Sequence, residues 1–359
     1  NTLQTPQAFI QSYYESFQTG QLPNVDYGAA DGLPQEDIFS IFQDQNGYMW
    51  FGTNSGAVRY NGREMTVFNH EHGLPANSVR DIKQDSSGFM YFATTNGIAK
   101  FHGEGTVETF LEGVAFNKIF VDSRNIPWFI GDDGVFMRKK KGSTRHLNSE
   151  LLALPRVIHN ITEDRGTGNM LIATIAGVFM YNIENHRITQ LSDTDCYSLY
   201  VDDHDSLWIS TRDGLLITGM NDLKENSSDA VFQNLNKRLH FPTDIISDII
   251  SNPLGSVWLL TSSTVMQLIS TDQAPIVYEN EIGIMNNKIL SLLVDDENNI
   301  WIGFSGGLQR LTNNQGLRNF YPEMIDSYVY SVFQDDMNRT WITSDNGVFY
   351  FQEGELLNF

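Results

Sequence analysis

Short segments rich in amide, carboxylate and hydroxyl side chains recur along this sequence, and they hold the residues best suited to bind a ligand. Such groups suit hydroxyl-rich solutes or cations better than anions. Binding residues concentrate on loops that a rigid scaffold holds in place. Tight turns also require Asn, Asp and Gly, so turn geometry is the competing interpretation for each residue. The candidates are Asn54, Asn77, Asn96, Asp132, Asp133, Tyr197, Arg212, Asp213, Tyr328, Asp345 and Asn346.

Motifs with catalytic or metal-binding spacing are missing from the sequence. It contains no nucleophile elbow, phosphate-binding loop or dinucleotide fingerprint, and its eight histidines do not cluster at metal-ligand spacing. The single cysteine, Cys196, excludes an internal disulfide and a cysteine-based metal centre. The acidic runs at 202–205 and 295–297 lack the residue order of a calcium loop. We therefore predict no catalytic residue, no metal and no cofactor.

Composition excludes several classes of partner. The 359 residues include 23 Lys and Arg against 44 Asp and Glu, a formal charge of −21. That balance disfavours nucleic acid, whose binding needs a basic face, and direct contact with an anionic membrane. A hydrophobic fraction of 41% is enough for a sizeable core. Because the sequence begins with Asn1, we expect a processed or excised part of a longer protein.

The polar segments belong to a sequence repeat. Gly32–Tyr60 and Gly73–Phe101 align without a gap, and the same frame returns about every 42 residues. All six tryptophans occupy one position of this frame. That aromatic position falls at Trp50, Tyr91, Trp128, Leu171, Trp208, Trp258, Trp301 and Trp341, and an acidic turn position falls at Asp44, Asp85, Asp122, Asp164, Asp202, Asn252, Asp295 and Asp335.

Each repeat reads as a four-stranded antiparallel meander, which is the period of a β-propeller blade. In the first repeat we place strand A at 38–43, B at 49–52, C at 57–60 and D at 63–68. We predict an all-β propeller over 24–359, with each tryptophan as a buried anchor between blades, and a short helix or linker over 1–23. The repeat count favours eight blades. The alternative is seven, with the surplus strand near Asn24–Tyr27 closing the ring and the eighth repeat beginning another propeller.

Antiparallel connectivity decides which turns share an end of the blades. The A–B and C–D turns lie at one end, whereas the B–C turns and D–A connections lie at the other. The candidate residues above fall at the second end, around a predicted central funnel. The basic run Arg138–Lys141 falls at a C–D turn, where we interpret it as a solvated hairpin edge.

The repeat resembles the two-component regulator propeller repeat. The resemblance rests on Gly-Leu-Pro, Asp-x-x-Gly, the Trp position and Thr-x-x-Gly, nearly complete in 32–60 and 73–101 and good around Trp301 and Trp341. It implies the periplasmic sensor half of a bacterial hybrid two-component kinase or of a similar diguanylate cyclase. No binding residue transfers with it.

The expected function is therefore a non-catalytic sensor that relays ligand binding or dimerisation to an output domain. The expected ligand is a small polar solute such as a glycan, and a homodimer is left open. Two alternatives also stay open. One is a propeller hydrolase or lyase with its active site in the funnel, and the other is a protein–protein scaffold.

Overall fold

The computed structural model describes residues 24–34, 37–102, 107–139, 142–147, 157–225, 232–236, 244–252, 255–278, 287–312, 329–335, 339–344, 347–352 and 355–358. The chain divides into two compact units, Asn1–Thr312 and Asn313–Phe359. The predicted propeller domain spans both, and the helix predicted over 1–23 lies outside the described residues. Those residues include one α-helix, α1 (Met220–Glu225), and no helix long and apolar enough to cross a membrane.

Seven four-stranded antiparallel sheets form the first unit, and we number them as blades 1 to 7. Blade 1 consists of β2 (Ser40–Gln43), β3 (Met49–Gly52), β4 (Ala57–Tyr60) and β5 (Met65–Phe68), and blade 2 of β6 (Val79–Gln84), β7 (Met90–Thr94), β8 (Gly97–Phe101) and β9 (Glu108–Phe110). Blade 3 consists of β10 (Phe116–Val121), β11 (Pro127–Gly131), β12 (Gly134–Arg138) and β13 (Thr144–His146). Blade 4 consists of β14 (Ile158–Asp164), β15 (Asn169–Thr174), β16 (Gly177–Tyr181) and β17 (Ile188–Ser192).

Blades 5 and 6 follow the same plan, and blade 7 takes one strand from the start of the chain. Blade 5 consists of β18 (Ser198–Val201), β19 (Ser206–Thr211), β20 (Gly214–Gly219) and β21 (Gln233–Asn234), and blade 6 of β22 (Asp248–Ser251), β23 (Val257–Leu260), β24 (Val265–Leu268) and β25 (Ile276–Tyr278). Blade 7 consists of β26 (Ile289–Val294), β27 (Ile300–Phe304) and β28 (Gly307–Leu311), with β1 (Asn24–Tyr27) as its outermost strand.

The second strands of the blades carry the core. β3, β7 and β11 are buried along their whole length, whereas the outer strands β5 and β9 contain no fully buried residue. A sheet that packs on both faces needs apolar side chains in both directions, which explains the continuous apolar runs. Hydrophobic clusters accordingly combine residues of neighbouring blades.

The ring has seven blades, so of the two predicted counts the structure follows the alternative. The first strands contact one another in a closed cycle, β2–β6–β10–β14–β18–β22–β26 and back to β2. β1 pairs antiparallel with β28, and it thereby covers the edge of blade 7. The eighth repeat forms its own antiparallel sheet in the second unit, β29 (Val329–Gln334), β30 (Thr340–Ser344), β31 (Gly347–Gln352) and β32 (Glu355–Asn358).

A hydrogen bond between the acidic turn residue and the aromatic residue recurs from blade to blade. Trp50 donates from Nε1 to Asp44 Oδ2 at 2.7 Å, while Asp44 Oδ1 accepts the backbone N–H groups of Asn46 and Tyr48. The carboxylate thus closes the A–B turn and satisfies the buried indole at once. The same bond joins Trp128 to Asp122, Trp208 to Asp202, Trp301 to Asp295 and Trp341 to Asp335, and Tyr91 donates its hydroxyl to Asp85.

Blade 6 departs from this pattern, and the departure gives a first prediction. Trp258 is fully buried, yet its Nε1 has no acceptor among the described residues, because the turn position holds Asn252. Asn252 uses Oδ1 for Ser256 N and donates Nδ2 to Asn298 Oδ1. Asn252→Asp supplies the missing acceptor, and we expect it to raise the free energy of unfolding by about 1–2 kcal/mol.

Urea unfolding of the wild type and the Asn252→Asp variant measures this gain. The matched control is Asn252→Ala, which removes the acceptor of Ser256 N without giving Trp258 a new one and should lower the unfolding free energy. If the Asn252→Asp variant is no more stable than the wild type, the recurrent carboxylate does not stabilise the fold by accepting the tryptophan N–H.

Candidate functional site

The end of the first unit formed by the B–C turns and D–A connections is called the candidate face below. Backbone hydrogen bonds join several of these turns to the next blade. Val79 N donates to Thr53 O at 2.8 Å, and Cys196 N donates to Thr174 O at 2.9 Å. The turns therefore lie side by side as the topology predicts, on a rigid support.

The threonine of the repeated Thr-x-x-Gly turn is structural. Thr53 donates from Oγ1 to Gly56 O and accepts Ser55 N, so one side chain closes the turn. Gly56 has φ +141°, and a Cβ there would lie 2.2 Å from Phe68 O, so a side chain would collide with the outer strand. The same Thr bond recurs in fully buried form at Thr94, Thr174, Thr211 and Thr261.

Three candidate asparagines lie together between blades 1 and 2. Asn54 accepts a hydrogen bond from Ser78 Oγ at 3.1 Å, and Asn96 donates from Nδ2 to Pro75 O at 3.3 Å. Asn77 Oδ1 accepts His70 N at 2.8 Å. All three asparagines are exposed, but their polar atoms also hold the D–A connection in place.

The richest group lies between blades 4 and 5. Arg212 Nη2 donates to Tyr197 Oη at 3.4 Å, Tyr197 Oη donates to Asp195 Oδ2 at 3.4 Å, and Arg212 Nε lies 3.6 Å from the same carboxylate. The His159 ring lies 5.3 Å from the Tyr197 ring, and its buried Nε2 has no partner among the described residues. Burial lowers the pKa of His159, so the imidazole is neutral near pH 7.

The other candidates are more scattered. Asp132 and Asp133 are exposed in the B–C turn of blade 3, where Asp133 O accepts from His146 Nε2 at 2.9 Å. Asp213 is exposed beside Arg212, and its backbone N–H bonds Thr211 Oγ1. Tyr328, Asp345 and Asn346 lie outside the described residues.

A polar belt below the candidate face lies on the first strands of all seven blades and was missed by the sequence reasoning. Ser40 Oγ donates to Asp81 Oδ1 at 3.0 Å, and Asn160 Nδ2 donates to Ser198 Oγ at 2.9 Å. These bonds tie neighbouring innermost strands across the blade interfaces. We call the set the girdle; its members are Ser40, Asp81, Lys118, Asn160, Ser198, Asp248 and Ser291.

One ion pair of the girdle crosses the ring. Lys118 Nζ of blade 3 lies 3.1 Å from Asp248 Oδ2 of blade 6, with side chains 32% and 29% exposed. Two blades separate these strands along the ring, so the pair spans the central channel and forms the floor of the funnel. The Asp248 carboxylate, with a smaller contribution from Asp81, raises the pKa of Lys118.

The girdle does have a sequence signal. Each of its residues stands four positions before the acidic turn residue of its blade, so all seven blades carry a polar side chain at one frame position. The His159–Asp195–Tyr197 group has no such signal, because His159 lies on the first strand of blade 4 whereas Asp195 and Tyr197 lie in the connection that precedes blade 5. Within the described residues, no group of three or more His, Cys, Asp or Glu could hold a metal ion.

The fold is that of a seven-bladed β-propeller whose last blade borrows a strand from the start of the chain. Three of its repeats match the family that the sequence resembles: the model of the two component regulator propeller family matches residues 32–55, 73–96 and 283–306. No curated protein sequence matches the chain.

Several solved structures share this architecture. The extracellular domain of BT3049 from B. thetaiotaomicron, assigned as a hybrid two component system, superposes with a TM-score of 0.68 at 20% identity, over 94% of this chain and 49% of that one. The extracellular domain of BT4673 from the same organism, assigned as a one component system, superposes with a TM-score of 0.65 at 18% identity, over 94% of this chain and 47% of that one. Virginiamycin B lyase from Staphylococcus aureus superposes with a TM-score of 0.64 at 14% identity, over 81% of this chain and 99% of that one. At these identities the likeness shows the fold, and the chain spans about half the length of the two extracellular domains.

Proposed function

We propose that this chain is the extracytoplasmic sensor propeller of a bacterial signal-transduction receptor. The observation that carries the proposal is the family match in three repeats, supported by structural likeness to extracellular domains assigned to one- and two-component systems. In this proposal the propeller is non-catalytic. Ligand binding or dimerisation is relayed to a kinase or diguanylate cyclase output.

The proposed ligand is a small hydroxyl-rich solute such as a glycan, bound on the candidate face at the blade 4–5 group. Tyr197 offers a half-buried ring and a hydroxyl, Arg212 offers N–H donors, and the neutral imidazole of His159 adjoins them. Sugars combine a flat C–H face with donors and acceptors at the ring edge, so an aromatic ring beside mixed polar groups suits them. The girdle closes the funnel below this group and limits how deep a solute enters.

A panel of mono- and oligosaccharides, measured by thermal shift and then by calorimetry, tests this function. A binding sugar should raise the melting temperature by mass action. Tyr197→Ala should weaken that sugar about tenfold or more, since such a loss corresponds to about 1.4 kcal/mol, the scale of one aromatic contact. Thr95→Ala, an exposed change elsewhere on the same face at a residue that is not a binding candidate, is the matched control and should leave binding unchanged.

Several outcomes would contradict the proposal. Consumption of a panel compound would favour the propeller enzyme, and virginiamycin B lyase shows that this fold is compatible with an enzyme. Tight capture of a protein without any response to sugars would favour the scaffold. Sugar binding that survives Tyr197→Ala unchanged would move the site away from the blade 4–5 group.

A further inference from the structure

A cleft at the other end of the ring, between blades 2 and 3, has the features of a separate binding site. Its volume is about 350 Å³, within the range of small-molecule sites. It lies where the A–B and C–D turns gather, so it does not depend on the function proposed for the candidate face. The lining residues that matter for binding are Asp85, Phe89, Lys100, Pro127, Arg138 and Lys139.

Four cations line this cleft in a chain whose net charge is −21. Two of them are matched, since Arg124 pairs with Asp122 and Arg138 pairs with Glu108. Lys100 and Lys139 have no carboxylate within ion-pair distance among the described residues, although 44 acidic residues are present in the sequence. Two ammonium groups thus remain available in one cleft.

The carboxylate in the lining, Asp85, forms no ion pair with either lysine. Asp85 Oδ1 accepts the backbone N–H groups of Ser87 and Phe89, and its Oδ2 accepts the Tyr91 hydroxyl at 3.0 Å. Asp85 is fully buried as the turn anchor of blade 2. Its oxygen atoms are therefore engaged by the fold and do not form an ion pair with Lys100.

Apolar side chains complete the cleft. Lys100 Nζ lies 3.6 Å from the centre of the Phe89 ring, a cation–π contact that holds the ammonium group over the aromatic face. Pro127 forms part of the opposite side, on blade 3. With about 30 Å³ per water in the liquid, the volume holds a solute of roughly ten non-hydrogen atoms.

We propose that this cleft binds a small organic anion, with its oxyanion group between Lys100 and Lys139 and its flat apolar part against Phe89 and Pro127. The oxyanion gains charge-assisted hydrogen bonds from both ammonium groups, of which Lys100 is already held over the Phe89 ring. Arg138–Lys141, read from the sequence as a solvated hairpin edge, thus contributes Arg138 and Lys139 to a site on the side opposite the candidate face.

Calorimetric titration with benzoate tests the site, because benzoate has a carboxylate, a flat ring and the required size. Benzamide is the matched neutral probe and should bind at least about tenfold more weakly, since it lacks the charge. Lys100→Ala and Lys139→Ala should each weaken benzoate by a similar factor. Lys83→Ala is the control, because Lys83 lies over the Phe42 ring and not in the cleft.

Inorganic sulfate should displace benzoate from the cleft. Added sodium chloride should weaken benzoate binding, as expected for a charge-dependent site that is open to solvent. Equal binding of benzoate and benzamide would overturn the proposal, as would benzoate binding that both lysine variants leave unchanged. Absence of benzoate and sulfate binding would also overturn it, since neither probe needs any group beyond those in the cleft.

Discussion

Trp301→Ala is expected to lower the free energy of unfolding of the first unit by about 3–5 kcal/mol, the usual cost of truncating a buried tryptophan. Trp301 is 2% exposed and donates from Nε1 to Asp295 Oδ2 at 2.8 Å. Its ring stacks on Tyr27 at 5.6 Å between centroids and lies 5.8 Å from Phe51. The three aromatic side chains come from blade 7, the closing strand β1 and blade 1. The alanine variant therefore leaves a cavity where the ring closes.

Urea unfolding followed by circular dichroism measures this loss, and the chain supplies a matched control. Trp341 holds the same repeat position in the second unit and donates to Asp335 Oδ2 at the same distance of 2.8 Å. Trp341 is only half-buried, so Trp341→Ala should lower the free energy of unfolding by clearly less than Trp301→Ala does. Equal losses in the two variants would contradict the seven-bladed ring, since eight equivalent blades would make the two tryptophans interchangeable.

Much of the fold could be predicted from the sequence because each blade is specified locally. In blade 1, the predicted strands B and C match β3 and β4 at both ends, whereas β2 and β5 begin two residues later than predicted. The Asp44 turn and the Thr53 turn lie within a few residues of the groups they bond. Because these hydrogen bonds join residues that are close in the chain, they can be recognised from the spacing of residue types in the sequence.

The repeats left the blade count open between eight and seven, with 24–27 as the closing strand in the second case, and they did not indicate the funnel floor. Closure depends on β1 beside β28, and Gln309 reaches Asp26 across 283 positions of sequence. Lys118 meets Asp248 across 130 positions. Neither pairing has a local signal, because nothing in the spacing of the repeats says which copies lie opposite each other. The candidate face followed from topology alone, but its group around Tyr197 needed the actual connection lengths.

The ion pair across the channel leads to the second large effect. Lys118→Met should lower the free energy of unfolding by about 1–3 kcal/mol, less than the 3–5 kcal/mol of a fully buried pair because water reaches both side chains. The substitution leaves Asp248 with Ser198 Oγ and Ile249 N as hydrogen-bond donors but without its cation. Asp248 then bears a charge that no cation compensates, which explains why the loss exceeds that of a surface pair.

A double-mutant cycle separates the pair from the packing of the lysine stem. Adding Asp248→Asn to Lys118→Met should recover most of the loss, because it removes the stranded carboxylate. The control is the exposed pair Arg165–Asp203, with side chains 59% and 71% exposed, where Arg165→Met should cost no more than about 0.5 kcal/mol. Strictly additive single-mutant losses at 118 and 248 would show that the ammonium and carboxylate do not interact.

The pH dependence of the same variant has a definite sign. The Asp248 carboxylate raises the pKa of Lys118 in the folded state, so the folded protein holds this proton more tightly than the unfolded chain does. The resulting stability is fully present below the unfolded lysine pKa of about 10.4 and is lost as pH rises through the higher folded value. The difference in unfolding free energy between wild type and Lys118→Met should therefore stay constant from neutral pH to about pH 9 and shrink above about pH 10.5. A difference that falls away already between pH 6 and 8 would assign the stabilisation to a group other than Lys118.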